Sequence, residues 1–574
     1  MIKNPVLRGF NPDPSIIRVG DDYYIATSTF EWFPGVQIHH STDLINWRLV
    51  ARPLRRPSQL DLRGIPDSCG VWAPCLSHTG NTFYLTYCLV RRYGRTTEYG
   101  AAGTSLRDFH NYVVTAEDIA GEWSDPVYLN SSGFDPSLFH DDDGKSWLLN
   151  LLWDHRSGHD RFGGIVIQEY RPDLGKLVGS RELIFKGTEL GFTEGPHIYR
   201  RGGWYYLLVA EGGTGWGHAA TLARSRNLHG PYEPCPYGPI VTSRGHPDMP
   251  LQRAGHADLV ETKDGKWLMA YLCARPLPGQ ARSVLGRETA IQPVTWTPEG
   301  WIEPGLPQTE AENPVNPAAA AMPPPIERYD FDGADLAPDF QWLRTPEPET
   351  LFSLTARPGH LTLFGRETIG SHFEQSLVAR RQTSFQYQAT TVIDYDPQHF
   401  QQSAGLACYY NASKFHYCYV SHDPELGRHL RVLSALPNPR CPETLSKVYP
   451  LPAGRLELRV TSDGKHLTFG YRSEGAGAWT EVEETFDATL LSDEATLPGY
   501  PGFTGTFVGM ACQDMSGQAC PAHFDRFEYE NRDSTEAGLG QTSSLGMEGQ
   551  PAFARRSDAQ ASAPPIRLAS TGSS

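Results

Sequence analysis

The chain has 574 residues, which is longer than one hydrophobic core usually serves and predicts two or more domains. Its hydrophobic fraction of 39% and aromatic fraction of 11% are typical of a globular protein rather than a disordered one. The formal net charge of -16 argues against a nucleic-acid-binding surface, and no apolar run is long enough for a signal peptide or a membrane span. We therefore expect a cytoplasmic protein that binds neither nucleic acid nor membrane.

The composition also indicates the kind of local structure. Gly (56) and Pro (46) are plentiful, which favours short strands joined by tight turns over long helices. The 10 cysteines show no CxxC pairs, so neither a zinc site nor a thioredoxin-like motif is indicated. In a cytoplasmic chain we expect these cysteines to be buried free thiols.

A short polar turn followed by an aromatic strand occurs five times, at intervals of about 60 residues. Each copy is typical of a β-hairpin, in which a Gly, Asp or Asn turn enters an apolar strand. The five copies are residues 20–27 (GDDYYIAT), 80–87 (GNTFYLTY), 143–149 (DGKSWLL), 202–208 (GGWYYLL) and 264–271 (DGKWLMAY).

Another short segment precedes each hairpin and recurs with the same period. These segments begin near Asp13, Trp72, Asp135, Glu194 and His256. Repetition of such a unit through about residue 300 predicts a five-bladed β-propeller, because blades are four-stranded sheets and ring closure leaves little exposed edge. The alternative is one irregular sandwich with coincidental turns.

The sequence changes character after the fifth repeat. We predict a catalytic propeller at 1–310, and a Pro/Ala linker at 311–326 that contains the run NPVNPAAAAMPPP. Residues 327–530 contain alternating segments such as RLELRV and predict a β-sandwich of the jelly-roll or lectin-like kind. Residues 531–574 are rich in Ser, Gly, Ala and Gln, and we expect them to be disordered. The predicted fold class is thus all-β.

Three of the five repeated positions carry carboxylates. If the first strand of each blade lines the axis, Asp13, Asp135 and Glu194 converge on one funnel. Crowded and partly buried carboxylates repel one another, which raises the pKa of at least one of them. Glycoside hydrolysis needs one carboxyl protonated, to donate to the leaving oxygen, and one ionised, to activate water or attack carbon. The repeat therefore indicates a glycoside hydrolase.

The motifs at these positions resemble those of glycoside hydrolase family 43, and more narrowly its two-domain β-xylosidases. The resemblance covers about residues 4–530. Its three main segments are 10–15 (FNPDPS), 132–137 (SGFDPS) and 193–197 (TEGPH). Supporting stretches are 27–36 (TSTFEWFPGV), 70–74 (GVWAP), 212–216 (GGTGW), 255–260 (GHADLV), 286–289 (GRET) and 503–509 (FTGTFVG).

The resemblance implies an inverting mechanism with assigned roles. Asp13 would be the general base that activates water, and Glu194 the general acid that protonates the glycosidic oxygen. Asp135 would orient the acid and raise its pKa, since a nearby like charge disfavours ionisation. Arg287 would reach substrate hydroxyls and the catalytic carboxylates. The implied reaction is exo-acting release of D-xylose from the non-reducing ends of 1,4-β-xylo-oligosaccharides.

Four aromatic residues resemble walls of the sugar subsites, because pyranose rings pack their apolar faces on aromatic rings. Trp72 shares the period of the acids, and Phe507 is expected to reach in from the sandwich and close the pocket. His256 is expected to lie under the sugar near the carboxylates. Some family members hold a divalent metal near this position, but a lone histidine is not a metal site, so we assign no metal and require no cofactor. The four aromatic residues are Phe30, Trp72, Trp153 and Phe507.

Two further expectations concern the rest of the molecule. In the sandwich, Asp330 and Asp525 could bind a structural calcium, because calcium prefers oxygen ligands. Relatives with this kind of sandwich often form tetramers, so a homo-tetramer is expected by analogy.

Three alternatives to a xylosidase stay open. The first is an α-L-arabinofuranosidase, or a bifunctional enzyme, because the two sugars present similar hydroxyl geometry at the scissile carbon. The second is a retaining fructosidase, which is disfavoured because its usual NDPN, RDP and EC motifs are absent. The third is a non-catalytic sugar-binding propeller, which is disfavoured because all three carboxylates are present.

Overall fold

The computed structural model describes residues 1–93, 106–322, 327–436, 443–496 and 502–533. Strands dominate these residues, and their helical structure is limited to three short 3₁₀ turns at Pro172–Leu174, Pro348–Thr350 and Ala488–Leu490. No helix within the described ranges is long and apolar enough to cross a membrane. The all-β prediction is confirmed.

The N-terminal part is a five-bladed β-propeller, as the repeat predicts. Its antiparallel sheets follow one another in chain order. Blade 1 contains Ser15–Val19, Asp22–Thr27, Gln37–Ser41 and Arg48–Ala51. Blade 2 contains Gly70–Thr79, Thr82–Arg92, Asp108–Ala116 and Val127–Asn130. Blade 3 contains Ser137–His140, Ser146–Trp153, Phe162–Arg171 and Lys176–Phe185. Blade 4 contains Glu194–Arg201, Trp204–Glu211, Ala219–Ser225, Glu233–Pro234 and Val241–Thr242.

The N-terminus completes blade 5 and closes the ring. This blade contains Gln252–Glu261, Trp267–Ala274 and Arg287–Val294. Leu7 forms an antiparallel bridge with Thr289 of the last strand. Farther out, Ile2–Lys3 pairs with Glu310–Ala311. Pairing of the chain's start with the end of the propeller removes an open sheet edge.

The five hairpin turns seen in the sequence join the first and second strands of the blades. A glycine at each turn has a positive φ, which glycine adopts without the steric cost of a Cβ atom. These glycines are Gly20, Gly80, Gly144, Gly202 and Gly265.

The C-terminal part is a sandwich of two nine-stranded sheets. One sheet contains Glu327–Tyr329, Phe352–Ser353, Leu361–Phe364, Gln386–Asp394, Leu456–Asp463, His466–Ser473, Thr480–Glu481, Phe486–Asp487 and Pro521–Asn531. The other contains Trp32–Phe33, Phe340–Leu343, Ser376–Arg381, Gln402–Asn411, Lys414–Asp423, Gly427–Ala435, Glu443–Leu445, Tyr449–Pro450 and Phe507–Asp514. Trp32–Phe33 belongs to the propeller sequence, so one sandwich sheet extends into the propeller.

The predicted linker and tail are only partly described. Asn313 is buried and its side-chain amide donates to the Asp43 carbonyl at 2.8 Å, so the start of the linker packs on blade 1. Residues 323–326 of the linker and 534–574 of the predicted tail lie outside the described residues. The last strand, Pro521–Asn531, is central to its sheet, where it pairs with Leu361–Phe364 and Gln386–Asp394.

The cysteine prediction holds for the residues that can be described. Nine of the cysteines lie in the described ranges, and all nine are free thiols. Seven of them are buried, while Cys235 and Cys520 are partly exposed. They behave as small apolar side chains of the core.

Candidate active site

Each blade begins with one residue in the left-handed backbone conformation, close to the propeller axis. The φ angles lie between 37° and 56°, an unusual range for residues other than glycine and one that is often found at functional sites. Trp72 and Glu194 come one residue before this position, so the five residues predicted to be equivalent occupy two adjacent positions. The left-handed residues are Asp13, Ala73, Asp135, Gly195 and His256.

Asp13 is buried among groups that stabilise its negative charge. Its Oδ1 accepts a hydrogen bond from Arg287 Nη1 at 2.8 Å, and its Oδ2 accepts one from the Ser28 hydroxyl at 2.7 Å. His256 Nδ1 lies 3.8 Å from Oδ1. Burial alone would raise the pKa of Asp13, but Arg287, His256 and Ser28 together lower it below the ordinary value. Asp13 is therefore suited to act as an ionised base.

Asp135 has the opposite electrostatic environment. Its Oδ2 accepts a hydrogen bond from the backbone N–H of Gly195 at 3.0 Å, which fixes the carboxyl beside Glu194. Burial and the negative charge of Asp13 raise the pKa of Asp135. The proton population of this carboxyl is therefore linked to both of its acidic neighbours.

Glu194 is the first residue of the first strand of blade 4, where it pairs with Ala210. Glu194 is partly exposed, whereas Asp13 and Asp135 are buried. Burial, followed by the charges of Asp135 and Asp13, raises the pKa of Glu194 well above the ordinary value. Glu194 is therefore suited to hold a proton near neutral pH and donate it.

A second layer of polar groups, not expected from the sequence, lies below the carboxylates. His197 and Asp258 each come two residues after the left-handed residue of their blade. Their Nδ1 and Oδ1 atoms are 3.7 Å apart. Burial opposes protonation of His197, but Asp258 raises its pKa to about 9. Burial lowers the pKa of His256 to about 4, and the charges of His197 and Arg287 lower it further, although Asp13 opposes this shift.

Arg287 connects the carboxylates to the sandwich. Besides Asp13, its Nη1 donates to the Thr214 hydroxyl at 3.3 Å, and its Nη2 donates to the Phe503 carbonyl at 3.0 Å. The preceding Gly286 has a φ of 73°, and a Cβ atom there would lie 2.3 Å from the Thr504 carbonyl oxygen. Glycine at this position thus lets the two domains approach closely enough for Arg287 to donate to the Phe503 carbonyl.

Three of the predicted aromatic residues form one cluster with ring neighbours. Phe30 and Trp72 have ring centroids 5.5 Å apart, and the Arg287 guanidinium lies 5.4 Å from the Phe30 centroid. Trp153 joins the cluster through Phe134, whose centroid lies 6.3 Å from Trp153 and 5.8 Å from Trp72. Such a wall offers apolar area to a sugar ring.

The prediction for Phe507 is wrong in its geometry. Phe507 is fully buried and stacks on Trp32 with centroids 3.6 Å apart, inside the core between the domains. Phe503 takes the expected place, with its ring 5.6 Å from Trp72 and 6.4 Å from Phe30. Phe507 begins a central strand and turns inward, whereas Phe503 lies in the preceding loop, and the sequence does not show where that loop ends.

Alanine substitutions should separate these two phenylalanines. Phe507→Ala is expected to lower the free energy of unfolding by about 3–5 kcal/mol, because it leaves a cavity in a closed core. Phe503→Ala is expected to lower kcat/KM by about 3- to 10-fold, the loss of one aromatic contact, with a smaller effect on stability. Denaturant unfolding and steady-state kinetics of both variants check this. The reverse pattern would restore Phe507 to the sugar site.

The two aspartates proposed for calcium have other contacts. The Asp525 carboxylate forms an ion pair with Arg455, and Asp330 Oδ1 accepts from the Asp332 backbone N–H at 3.3 Å. Within the described ranges, no group of three or more His, Cys, Asp and Glu side chains could hold a metal ion. The positive charge of Arg455 beside the Asp525 carboxylate does not favour calcium binding there. The structural calcium stays a prediction.

This propeller brings two aspartates and a glutamate into mutual electrostatic contact, and the pKa of one acid is lowered while those of the other two are raised, which is the arrangement of a glycoside hydrolase. Residues 2–302 match the family profile described as "Glycosyl hydrolases family 43". Residues 328–530 match "Beta xylosidase C-terminal Concanavalin A-like domain", which confirms the lectin-like sandwich. The chain belongs to glycosyl hydrolase family 43.

Relatives match along nearly the whole chain. "Xylosidase/arabinosidase 43B" of Humicola insolens is 51% identical and is aligned over 92% of this chain and 97% of its own length. "Beta-xylosidase" of Bacillus subtilis (strain 168) is 46% identical over 92% and 100% of the two chains. The crystal structure of xylan beta-1,4-xylosidase from Bacillus halodurans C-125 superimposes with a TM-score of 0.88 at 48% identity, covering 92% of this chain and 100% of that one.

Proposed function

We propose that this protein is an exo-acting β-xylosidase that releases D-xylose from the non-reducing ends of 1,4-β-xylo-oligosaccharides with inversion. The observation that carries the proposal is that the surroundings lower the pKa of Asp13 and raise the pKa of Glu194. Arg287 favours the ionised form of Asp13, whereas burial and two acidic neighbours favour the protonated form of Glu194. These are the two protonation states that an inverting glycosidase requires at the start of its reaction.

In the proposed reaction, Asp13 accepts a proton from a water molecule while the water oxygen forms a bond to the anomeric carbon. The glycosidic bond breaks at the same time, and Glu194 gives its proton to the departing oxygen. Asp135 holds the Gly195 N–H, and so it orients the start of the strand that carries Glu194. Each turnover consumes one water, and both carboxyl groups then return to their starting protonation states by exchange with solvent.

The contact of the sandwich with the site supports exo action. Phe503 places its ring against Trp72, and its carbonyl against the Arg287 guanidinium. A wall at this position limits the room for a polymer to extend through the pocket in both directions. Removal of single sugars from a chain end fits this geometry, whereas cutting inside a polymer requires an open cleft.

The names of the two relatives support xylose as the sugar, and one of them supports a second activity. The Humicola insolens relative carries both xylosidase and arabinosidase in its name, so a bifunctional xylosidase and α-L-arabinofuranosidase is the alternative. The ratio of kcat/KM on p-nitrophenyl β-D-xyloside and p-nitrophenyl α-L-arabinofuranoside distinguishes the two. Homo-tetramer formation and a cytoplasmic location stay predictions.

The anomer first released from xylobiose tests the proposal directly. Inversion is expected to yield α-D-xylose from the newly cleaved sugar before mutarotation mixes the anomers. One-dimensional ¹H NMR during the first minutes after enzyme addition measures the ratio. Early β-D-xylose would contradict inversion, and the absence of xylose would contradict the xylosidase assignment and favour a non-catalytic sugar-binding propeller.

A further inference from the structure

An acidic pair of the sandwich binds a buried arginine of the propeller beside the site. Arg253 Nη1 lies 3.0 Å from Asp493 Oδ2, and its Nη2 lies 2.6 Å from Glu494 Oε1. Arg253 is 6% exposed, has a left-handed backbone with φ of 56°, and comes three residues before His256 in the first strand of blade 5. Asp493 and Glu494 of the sandwich therefore bind the same blade of the propeller that carries His256.

The same acidic pair is tied to the propeller at a second point. Glu494 accepts hydrogen bonds from the backbone N–H and the hydroxyl of Ser283, each at 2.9 Å. Ser283 lies four residues before Arg287. Thr506 of the sandwich adds a backbone hydrogen bond to the Val284 carbonyl at 3.1 Å. Residues 283–287 are thus held against the sandwich on both sides of Gly286.

A chain of contacts leads from Asp493 to the catalytic carboxylate. Asp493 Oδ1 accepts a hydrogen bond from the Tyr410 hydroxyl at 2.5 Å, and that hydroxyl oxygen accepts one from the Thr504 N–H at 3.3 Å. Thr504 follows Phe503, whose carbonyl accepts from Arg287. Arg287 in turn donates to Asp13. The guanidinium that binds the general base is therefore held in part by a carbonyl of the other domain.

A buried ion pair is weak evidence for stability, since desolvation offsets much of the attraction between its charges. What such a pair provides is a defined arrangement, because an arginine with two carboxylate partners is restricted in position and direction. Here the restricted arrangement fixes the separation of propeller and sandwich at Arg287. A displacement of about 1 Å at a catalytic group costs on the order of 100-fold in rate.

We propose that Arg253, Asp493 and Glu494 form an interdomain clamp that positions the Phe503 carbonyl, and through it the Arg287 guanidinium, against Asp13. The three residues are positioning residues, since none of them contacts Asp13 or Glu194. The inference deepens the proposed function and rests on it for the kinetic part of its test.

The clamp has a defined electrostatic consequence. Asp13 faces the charges of Arg287, His256 and His218, and it interacts with the two acids Asp135 and Glu194. When the clamp is broken, Arg287 is free to withdraw from Asp13, and the pKa of Asp13 rises. The base is then protonated at higher pH, so the acidic limb of kcat/KM moves upward in pH.

The surroundings of the clamp itself define which substitutions are informative. Arg253 faces Asp493, Glu494 and the ring of Trp216, whose centroid is 5.3 Å away. Beyond the acids lie Tyr410 and Lys414, and the Lys414 ammonium donates to the Ser492 carbonyl at 2.7 Å. Removal of Arg253 leaves two acids with Lys414 nearby. Glu494→Gln keeps the shape of the side chain and one accepting oxygen, but it removes one charge and replaces the other accepting oxygen with an NH2 donor.

The test compares Arg253→Met, Arg253→Lys and Glu494→Gln with a control across the same interface. Glu347→Gln removes the ion pair between Glu347 and Arg63, 3.1 Å long, which does not contact the Phe503 loop. Arg253→Met is expected to lower kcat/KM about tenfold or more and to move the acidic limb upward by about half a pH unit or more. Arg253→Lys is expected to recover most of both, and the control to change neither.

A ¹³C NMR titration of the Asp13 carboxyl provides a second measurement that needs no substrate. It is expected to show a higher pKa of Asp13 in Arg253→Met than in the unmodified protein. This measurement tests the positioning role of the clamp even if the unmodified protein fails to hydrolyse xylosides. A folded Arg253→Met protein with an unchanged pKa of Asp13 and an unchanged acidic limb overturns the clamp. If Arg253→Met does not fold, Glu494→Gln decides by the same two measurements.

Discussion

Replacement of Glu194 by Gln is expected to lower kcat/KM on xylobiose by roughly 10²–10⁴-fold, because an amide cannot donate a proton to the glycosidic oxygen. The loss should be much smaller on p-nitrophenyl β-D-xyloside, since p-nitrophenolate departs without protonation. The basic limb of the pH profile on xylobiose should also disappear, because it reports loss of the Glu194 proton. Steady-state kinetics on both substrates across pH 5–9 measure all three effects.

Glu189→Gln is the matched control for this substitution. Glu189 is an exposed residue of the turn before the same strand, so the same change of charge there should leave both substrates unaffected. An equal loss on xylobiose and on the aryl xyloside would mean that Glu194 positions the sugar and does not protonate the leaving group. Arg287 would then be the residue to substitute, as the group that stabilises the negative charge on the leaving oxygen.

The propeller could be predicted because its signal is local and repeated. Each hairpin turn contains a glycine with positive φ followed by an aromatic strand, and both features can be read within eight residues. Five copies at one period require only that neighbouring units stack, which is the defining property of a repeat architecture. The converging acids Asp13 and Asp135 followed from that period without knowledge of any distant contact.

The sequence was less informative where a one-residue offset or a contact with a distant segment decides the position of a side chain. Glu194 and Trp72 come one residue before the left-handed position, and the period alone does not distinguish the two phases. The assignment of Phe507 to the sugar site depended on where a loop ends, and the structure places Phe503 against Trp72 instead. The pair Arg253 and Glu494 is separated by 241 residues, and nothing local in either segment indicates the other.

The second large effect is expected at Asp13. Asp13→Asn should lower kcat/KM by about 10⁴-fold, the upper end of the range for a general base, and equally on xylobiose and the aryl xyloside. Attack by water is needed with either leaving group, so an activated leaving group cannot compensate. Asp21→Asn, in the exposed hairpin turn of the same blade, is the control that should leave the rate unchanged.

The residual activity of Asp13→Asn has a pH dependence whose sign follows from the site. The negative charge of Asp13 raises the pKa of both Glu194 and Asp135, so its removal lowers both. Glu194 then loses its proton at lower pH, and the basic limb should move downward in pH while the acidic limb, which reports Asp13 itself, should vanish. A retained acidic limb at its original pH would show that another carboxyl activates the water. Asp135 would be the residue to substitute next, because it is the remaining acid coupled to Glu194.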